Sequence, residues 1–188
     1  MSKRKFWVLL LIVFSTSLTQ VQVGAIEGSD LKAPEYVLKA TMISLFPSHV
    51  EWPENSDMHD ELKPFVFAVI GKNPFGSILG KIQEESIMKN KKVKILYISK
   101  VEEIVESGCH LLFIPKTGKK KLSEIIAVTG DKPILTIADS KGYADMGIHI
   151  NILVRGSKLR FEINRPAIRR SGLVVNYRLL QLAKRIVD

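Results

Sequence analysis

Residues 64–76 read PFVFAVIGKNPFG, and this stretch decides the fold. Phe65 to Ile70 is apolar at every position between Pro64 and Gly71. A strand with one wet face alternates apolar and polar residues, whereas a strand covered on both faces does not. Pro74 lies between Gly71 and Gly76, and proline suits the first turn of a helix. The stretch therefore predicts a buried strand, a tight turn and a helix from Pro74 to about Gln83.

The same unit recurs downstream. Apolar runs at Val93 to Ile98, Leu111 to Ile114 and Ile134 to Ala138 predict three more strands. Helical segments at Val101 to Glu106 and Lys119 to Val128 separate them. Strands alternating with helices build a mostly parallel sheet with helices on both faces. Near the end, Ile148–Val154 and Lys158–Ile163 flank Arg155-Gly156-Ser157, which predicts an antiparallel hairpin on the sheet edge. After Pro166 the chain reads as helix broken at Gly172, with an apolar stripe of Val175, Leu179, Leu182 and Ile186. The expected fold class is α/β: a three-layer α/β/α sandwich with a Rossmann-like, mostly parallel sheet and an antiparallel C-terminal hairpin.

Upstream, residues 29–46 (SDLKAPEYVLKATMISLF) predict a helix capped by Ser29 or Asp30 and ended by Pro47. Both of its faces are apolar, which suits deep packing or a surface for a partner. Residues 47–63 read as a polar loop interrupted by Val50 and Trp52-Pro53.

The first 25 residues differ from the rest. Lys3, Arg4 and Lys5 precede an apolar run from Phe6 to Phe14, and Val23-Gly24-Ala25 ends the segment. A cationic start, a short apolar middle and small residues before a cleavable bond describe a secretory signal peptide. The expectation is residues 1–25 as leader, residues 26–188 as one domain, and a periplasmic location. The 188-residue chain carries a formal charge of +9, which falls to +6 without the leader's three cations. That charge suits anionic partners, and the compartment argues against nucleic acid as one of them.

Cys109 is the single cysteine, so an internal disulfide is excluded. His110 adjoins it, but neighbours on a strand point to opposite faces and do not pair as nucleophile and base. Cys109 is a small apolar packing residue, or else a thiol open to oxidation or to pairing between chains. The Gly71–Ser77 turn lacks the lysine of a nucleotide-binding loop, which leaves a tight turn or an anion-holding one. His49, Glu51, Glu54, Asp57, His59, Asp60 and Glu61 crowd one loop without the i, i+4 spacing of a helical zinc site. Lys89–Lys92 and Lys116–Lys121 are basic clusters suited to solvent or an acidic partner. No catalytic residue, metal site or cofactor is assigned.

With these pieces in order, the chain resembles the YfiR family of exported bacterial regulators. Tyr36-Val37-Leu38-Lys39-Ala40 with Val50-Glu51-Trp52-Pro53 is similar to its first helix and "EWP" signature. Phe67–Gly71 leading to Pro74-Phe75-Gly76, and Cys109–Ile114, are similar to two of its strands. Gly142-Tyr143-Ala144 with Gly147 resembles its glycine loop, and Arg160–Asn164, Ala167, Gly172-Leu173 and Leu179-Leu180 its C-terminal block. Ile148 stands where the family often has a second glycine.

The resemblance implies a periplasmic α/β domain that is not an enzyme. It implies repression of an inner-membrane signalling enzyme, a diguanylate cyclase or a sensor kinase, through that enzyme's periplasmic region, with control of cyclic-di-GMP and biofilm. A homodimer is a further expected partner. The alternative is a small-molecule sensor using the rim formed by Gly71–Gly76 and Asp139–Gly147, since open α/β sheets bind ligands beyond their strands' carboxyl ends. Tyr36, Lys39, Phe46, Trp52, Phe75 and Tyr143 are the candidate partner or ligand surface. Gly71, Pro74, Gly76, Cys109, His110, Gly147, Phe161, Glu162, Asn164 and Arg165 are the candidate structural motif.

Overall fold

The structure, a computed structural model, describes residues 32–156 and 158–188. The expected leader and the Ser29 or Asp30 cap lie outside the described residues. Along the chain run α1 (Lys32–Leu45), β1 (Val50–Glu51), β2 (Phe65–Ile70), α2 (Ile78–Glu85), β3 (Ile87–Met88) and β4 (Lys91–Ile98). Then come α3 (Glu103–Glu106), β5 (Leu111–Ile114), α4 (Lys119–Thr129), β6 (Leu135–Ala138), β7 (Ile150–Arg155) and β8 (Lys158–Asn164). The chain closes with α5 (Arg165–Arg170), β9 (Val174–Val175), α6 (Tyr177–Leu182) and β10 (Arg185–Val187).

Eight strands form one sheet in the order β10-β8-β7-β6-β5-β2-β4-β3. Strands β4, β2, β5, β6 and β7 are mutually parallel. Counted along the chain, these five lie in the order 2-1-3-4-5, a doubly wound arrangement. The expected α/β sandwich is therefore present, with helices on both faces. Buried β2 shows why its sequence does not alternate. Phe65, Phe67 and Val69 enter one apolar layer with Leu111, Phe113, Ile137 and Leu79 of α2. Val66, Ala68 and Ile70 enter the other with Ile104 of α3 and Leu122 and Ile125 of α4. Each fully buried large side chain contributes roughly 1.5–3 kcal/mol relative to exposure.

The hairpin of β7 and β8 is antiparallel as expected, but it is not the edge. Strand β10 adds parallel to β8 outside it, with Arg185 opposite Glu162. Three further expectations need correction. The helix after Pro74 starts at Ile78, because the Asn73 side chain accepts from Phe75 N and donates to the Gly76 carbonyl, holding a turn first. The strand expected at Val93 begins at Lys91 and turns back onto β3 through Lys89 and Asn90, both at positive φ. The segment after Pro166 is not one broken helix but α5, β9, α6 and β10 in succession.

The loop after α1 also has structure. Phe46–His49 form a 3-10 turn around Pro47, and β1 pairs antiparallel with β9, Val50 opposite Val175. Trp52 Nε1 donates to the Pro133 carbonyl at 2.9 Å, tying this segment to the start of β6.

Candidate functional site

The C-terminal segment builds a groove from short, well-capped elements. Asn164 ends β8 and caps α5, with Oδ1 accepting from Ala167 N at 2.8 Å. Its Nδ2 donates to the Ala144 carbonyl at 2.7 Å, which fixes the loop after β6 against the same point. Gly172, at φ +74, then reverses the chain in a left-handed conformation that a side chain would strain. Strand β9 follows, held to β1. Asn176 caps α6 through Leu179 N at 3.0 Å, and its own N–H donates to the His49 carbonyl.

Between α5, β9 and α6 lies an apolar groove of about 270 Å³. Ile168, Leu173, Val175 and Leu180 form its floor, and Arg165 and Arg169 stand at its rim. Arg165 donates to Asp188 at 3.0 Å. Large apolar side chains remain in solvent around it: Val174 (62% exposed), Tyr177 (71%) and Leu182 (66%). The surface continues onto α1 through the Phe46–His49 turn, which packs against α6. The outward side of α1 shows Val37, Leu38, Thr41 and Leu45, and no charged side chain between them. An uncharged, partly apolar strip thus lies beside an arginine-rimmed groove.

This is not the surface expected from sequence. Lys39, Phe46, Trp52, Phe75 and Tyr143 are all buried, and Tyr36 is half-buried. The Phe46 ring meets Phe161 edge-on, Trp52 meets Phe65, and Phe75 meets both Tyr36 and Phe113. The Tyr143 hydroxyl accepts from Thr117 N and donates to Thr117 O, each at 2.9 Å. The groove residues escaped notice because the stripe from Val175 to Ile186 ran straight through Asn176, the residue that signals a new cap.

The structural-motif residues occupy turns and strand ends. Gly71, Pro74 and Gly76 form the turn after β2. Gly147 has φ +112, and a Cβ there would meet Ile126 Cγ2 at 3.4 Å. Phe161 and Ile163 face the α1 layer, while Glu162 and Asn164 lie on the other side. Glu162 accepts from Arg185 Nε at 2.8 Å, and Arg185 also forms a bidentate pair with Asp145 at 2.8 and 2.9 Å. These bonds pin β10 to the Gly142–Gly147 loop and raise the Arg185 guanidinium above its ordinary range.

Cys109 and His110 do diverge. Cys109 lies in the α3–α4 layer, its thiol over the Ile104 carbonyl, and burial pushes its pKa up. His110 stacks on Phe65 in the other layer. Its Nδ1 accepts from Val66 N at 3.0 Å, so the ring proton sits on Nε2, 3.1 Å from Asp57 Oδ1. Burial lowers the His110 pKa, and Asp57 offsets this in part. Both ring nitrogens are committed, and the thiol is neutral and out of reach, so the two cannot serve as nucleophile and base. Native protein is expected to resist thiol-specific reagents and to react stoichiometrically only after denaturation; rapid labelling of the folded chain would contradict this burial. Among the described residues, no group of three or more His, Cys, Asp or Glu stands close enough to hold a metal ion.

A family model described as YfiR/HmsC-like matches residues 36–184. In fold, the chain is similar to a conserved domain protein from Vibrio cholerae O1 biovar El Tor, with a TM-score of 0.52 at 10% identity. That likeness covers 80% of this chain and 60% of that one, so the chain spans less than two thirds of the other's length. A second similarity is to the ABC domain of Streptococcus pneumoniae solved with L-Trp, at TM-score 0.49 and 7% identity, over 65% of this chain and 55% of that one. At such identities the likeness concerns fold alone.

Proposed function

Because the chain belongs to the YfiR/HmsC-like family of regulatory proteins, we propose that it is an exported periplasmic regulator that works by contact, not catalysis. Its partner in this reading is the periplasmic region of an inner-membrane diguanylate cyclase, which it holds inactive. The observation that carries the reading is the groove between α5, β9 and α6, with its apolar floor and arginine rim. Such a groove accepts one apolar anchor side chain, and the arginines favour an acidic neighbour beside it. Binding one conformation of the cyclase better than the other shifts its population by the difference in affinity.

The test uses substitutions at exposed positions, which spare the fold. Arg169→Glu and Val174→Gln are each expected to weaken binding to the cyclase's periplasmic region at least tenfold, with unfolding midpoints unchanged. Loss of the regulator in cells should raise cyclic-di-GMP and surface attachment. Wild-type affinity in both variants would remove the groove from the mechanism. Unaltered cyclic-di-GMP after gene deletion would remove the cyclase.

A further inference from the structure

A second concave site lies at the opposite end of the sheet's logic, where the chain's winding reverses. From β2 the chain turns to α2 on one face, and from β5 it turns to α4 on the other. The two loops part, and a crevice of about 190 Å³ opens between the carboxyl ends of β2 and β5. Crevices at such reversals are the usual ligand sites of doubly wound sheets.

Three cations line it: Lys72 from the first loop, Lys116 from the second and Lys121 from α4. No carboxylate is among its lining residues. The Asp139 carboxylate, at the end of neighbouring β6, is turned to Lys39 and Tyr36. Lys121 Nζ also donates to the Ser99 carbonyl at 3.3 Å. The loop bearing Lys116 is fixed, because the Tyr143 hydroxyl engages both backbone groups of Thr117. Ile70, Ile114 and Ile125 complete the floor. Three lysines and no carboxylate on the lining of one small concavity give it a positive potential that favours an anion.

We propose that this crevice binds a small organic phosphate. Its phosphoryl oxygens would meet the three lysines and its carbon portion the three isoleucines. A phosphoryl dianion has three terminal oxygens for three separate donors, whereas a carboxylate has two. The site is separate from the α5–β9–α6 groove and is tested independently of it.

The purified protein is titrated with inorganic phosphate and with glycerol 3-phosphate at fixed ionic strength, by calorimetry and by amide chemical shifts. Saturable one-site binding is expected, with shifts centred on Gly71, Lys72, Lys116 and Thr117 and tighter binding of the organic phosphate. Lys72→Gln with Lys116→Gln should weaken binding at least tenfold. Lys92→Gln with Lys94→Gln, an equal change of charge elsewhere, should alter it less than twofold, and Arg169→Glu likewise. Equal affinity for the two probes would overturn the role given to the isoleucines. Unsaturable binding, or equal losses from both lysine pairs, would overturn the site.

Discussion

Asp139→Ala is expected to destabilise the protein by about 3–5 kcal/mol, the usual cost of removing one partner from a buried ion pair. The Asp139 carboxylate lies at the end of β6, where α1 crosses the sheet. Its Oδ2 accepts from Lys39 Nζ at 2.6 Å and from the Tyr36 hydroxyl at 2.9 Å. The Lys39 and Asp139 side chains are each only 5% exposed. Lys39 also reaches Glu35 at 2.5 Å and sits 4.4 Å from the centre of the Tyr36 ring. Burial, and then the Asp139 charge, raise the Tyr36 phenol far above its ordinary range, so it stays protonated and donates. Without the carboxylate, the ammonium keeps one half-exposed partner and the phenol loses its acceptor. A drop in Tm of about 10 °C follows for a domain of this size. Removing both charges, as Lys39→Met with Asp139→Leu, should recover more than half of the loss, because apolar replacement of a whole buried pair is nearly neutral. Wild-type denaturation midpoints in Asp139→Ala would refute the account, and so would a double variant no better than the single.

That pair also marks the limit of what the sequence discloses. Phe65–Ile70 announces a doubly covered strand because its periodicity is local, and the parallel sheet follows from its repetition. Lys39 and Asp139 are 100 positions apart, and nothing in either neighbourhood predicts that they meet. The same holds for β1 and β9, two residues each, which exist only because they find one another. The turn at Lys89 and Asn90 was hidden for another reason. Both residues sit at positive φ without being glycine, so a tight hairpin reads as a basic loop. Tyr143 and Trp52 looked like display residues, since amphipathic aromatics do serve at interfaces. Their polar atoms instead bond Thr117 and Pro133, inside the molecule. The groove between α5, β9 and α6 was hidden by an apolar stripe, Val175 to Ile186, that satisfies helical spacing through the Asn176 cap and past the end of α6. Local pattern thus yielded the layers, while the surface came from contacts between distant segments.

Acidification from pH 6.5 to pH 4 is expected to cost about 3 kcal/mol of stability, most of it through His149. This ring lies just before β7 and is buried. Its Nδ1 accepts from Thr136 N at 3.2 Å, and its backbone N–H donates to Thr136 Oγ1 at 3.1 Å. Its backbone carbonyl accepts from Asn164 N at 2.9 Å, so one residue joins β6, β7 and the end of β8. Burial pushes its pKa down to about 4; a bond to the Ala167 backbone pulls the other way, and the nearby Arg170 charge adds to the lowering. The folded state therefore binds this proton more weakly than the unfolded chain, whose histidine has a pKa near ~6.5. Stability is complete above pH 6.5 and declines as pH falls toward 4, by roughly 1.4 kcal/mol per unit for one proton. His110, whose pKa is also lowered, adds a smaller loss of the same sign. Protonation at Nδ1 also removes the acceptor for Thr136 N and sets a cation beneath α5, whose outer side lines the groove beside β9 and α6. Denaturant unfolding at pH 7, 6, 5 and 4.5 measures the slope. His149→Asn keeps a neutral acceptor and cannot take up the proton, so its stability is lower at pH 7 but its slope should be less than half that of the wild type. A wild-type stability that stays level across this range, or a slope untouched by the substitution, would show that the proton is bound elsewhere.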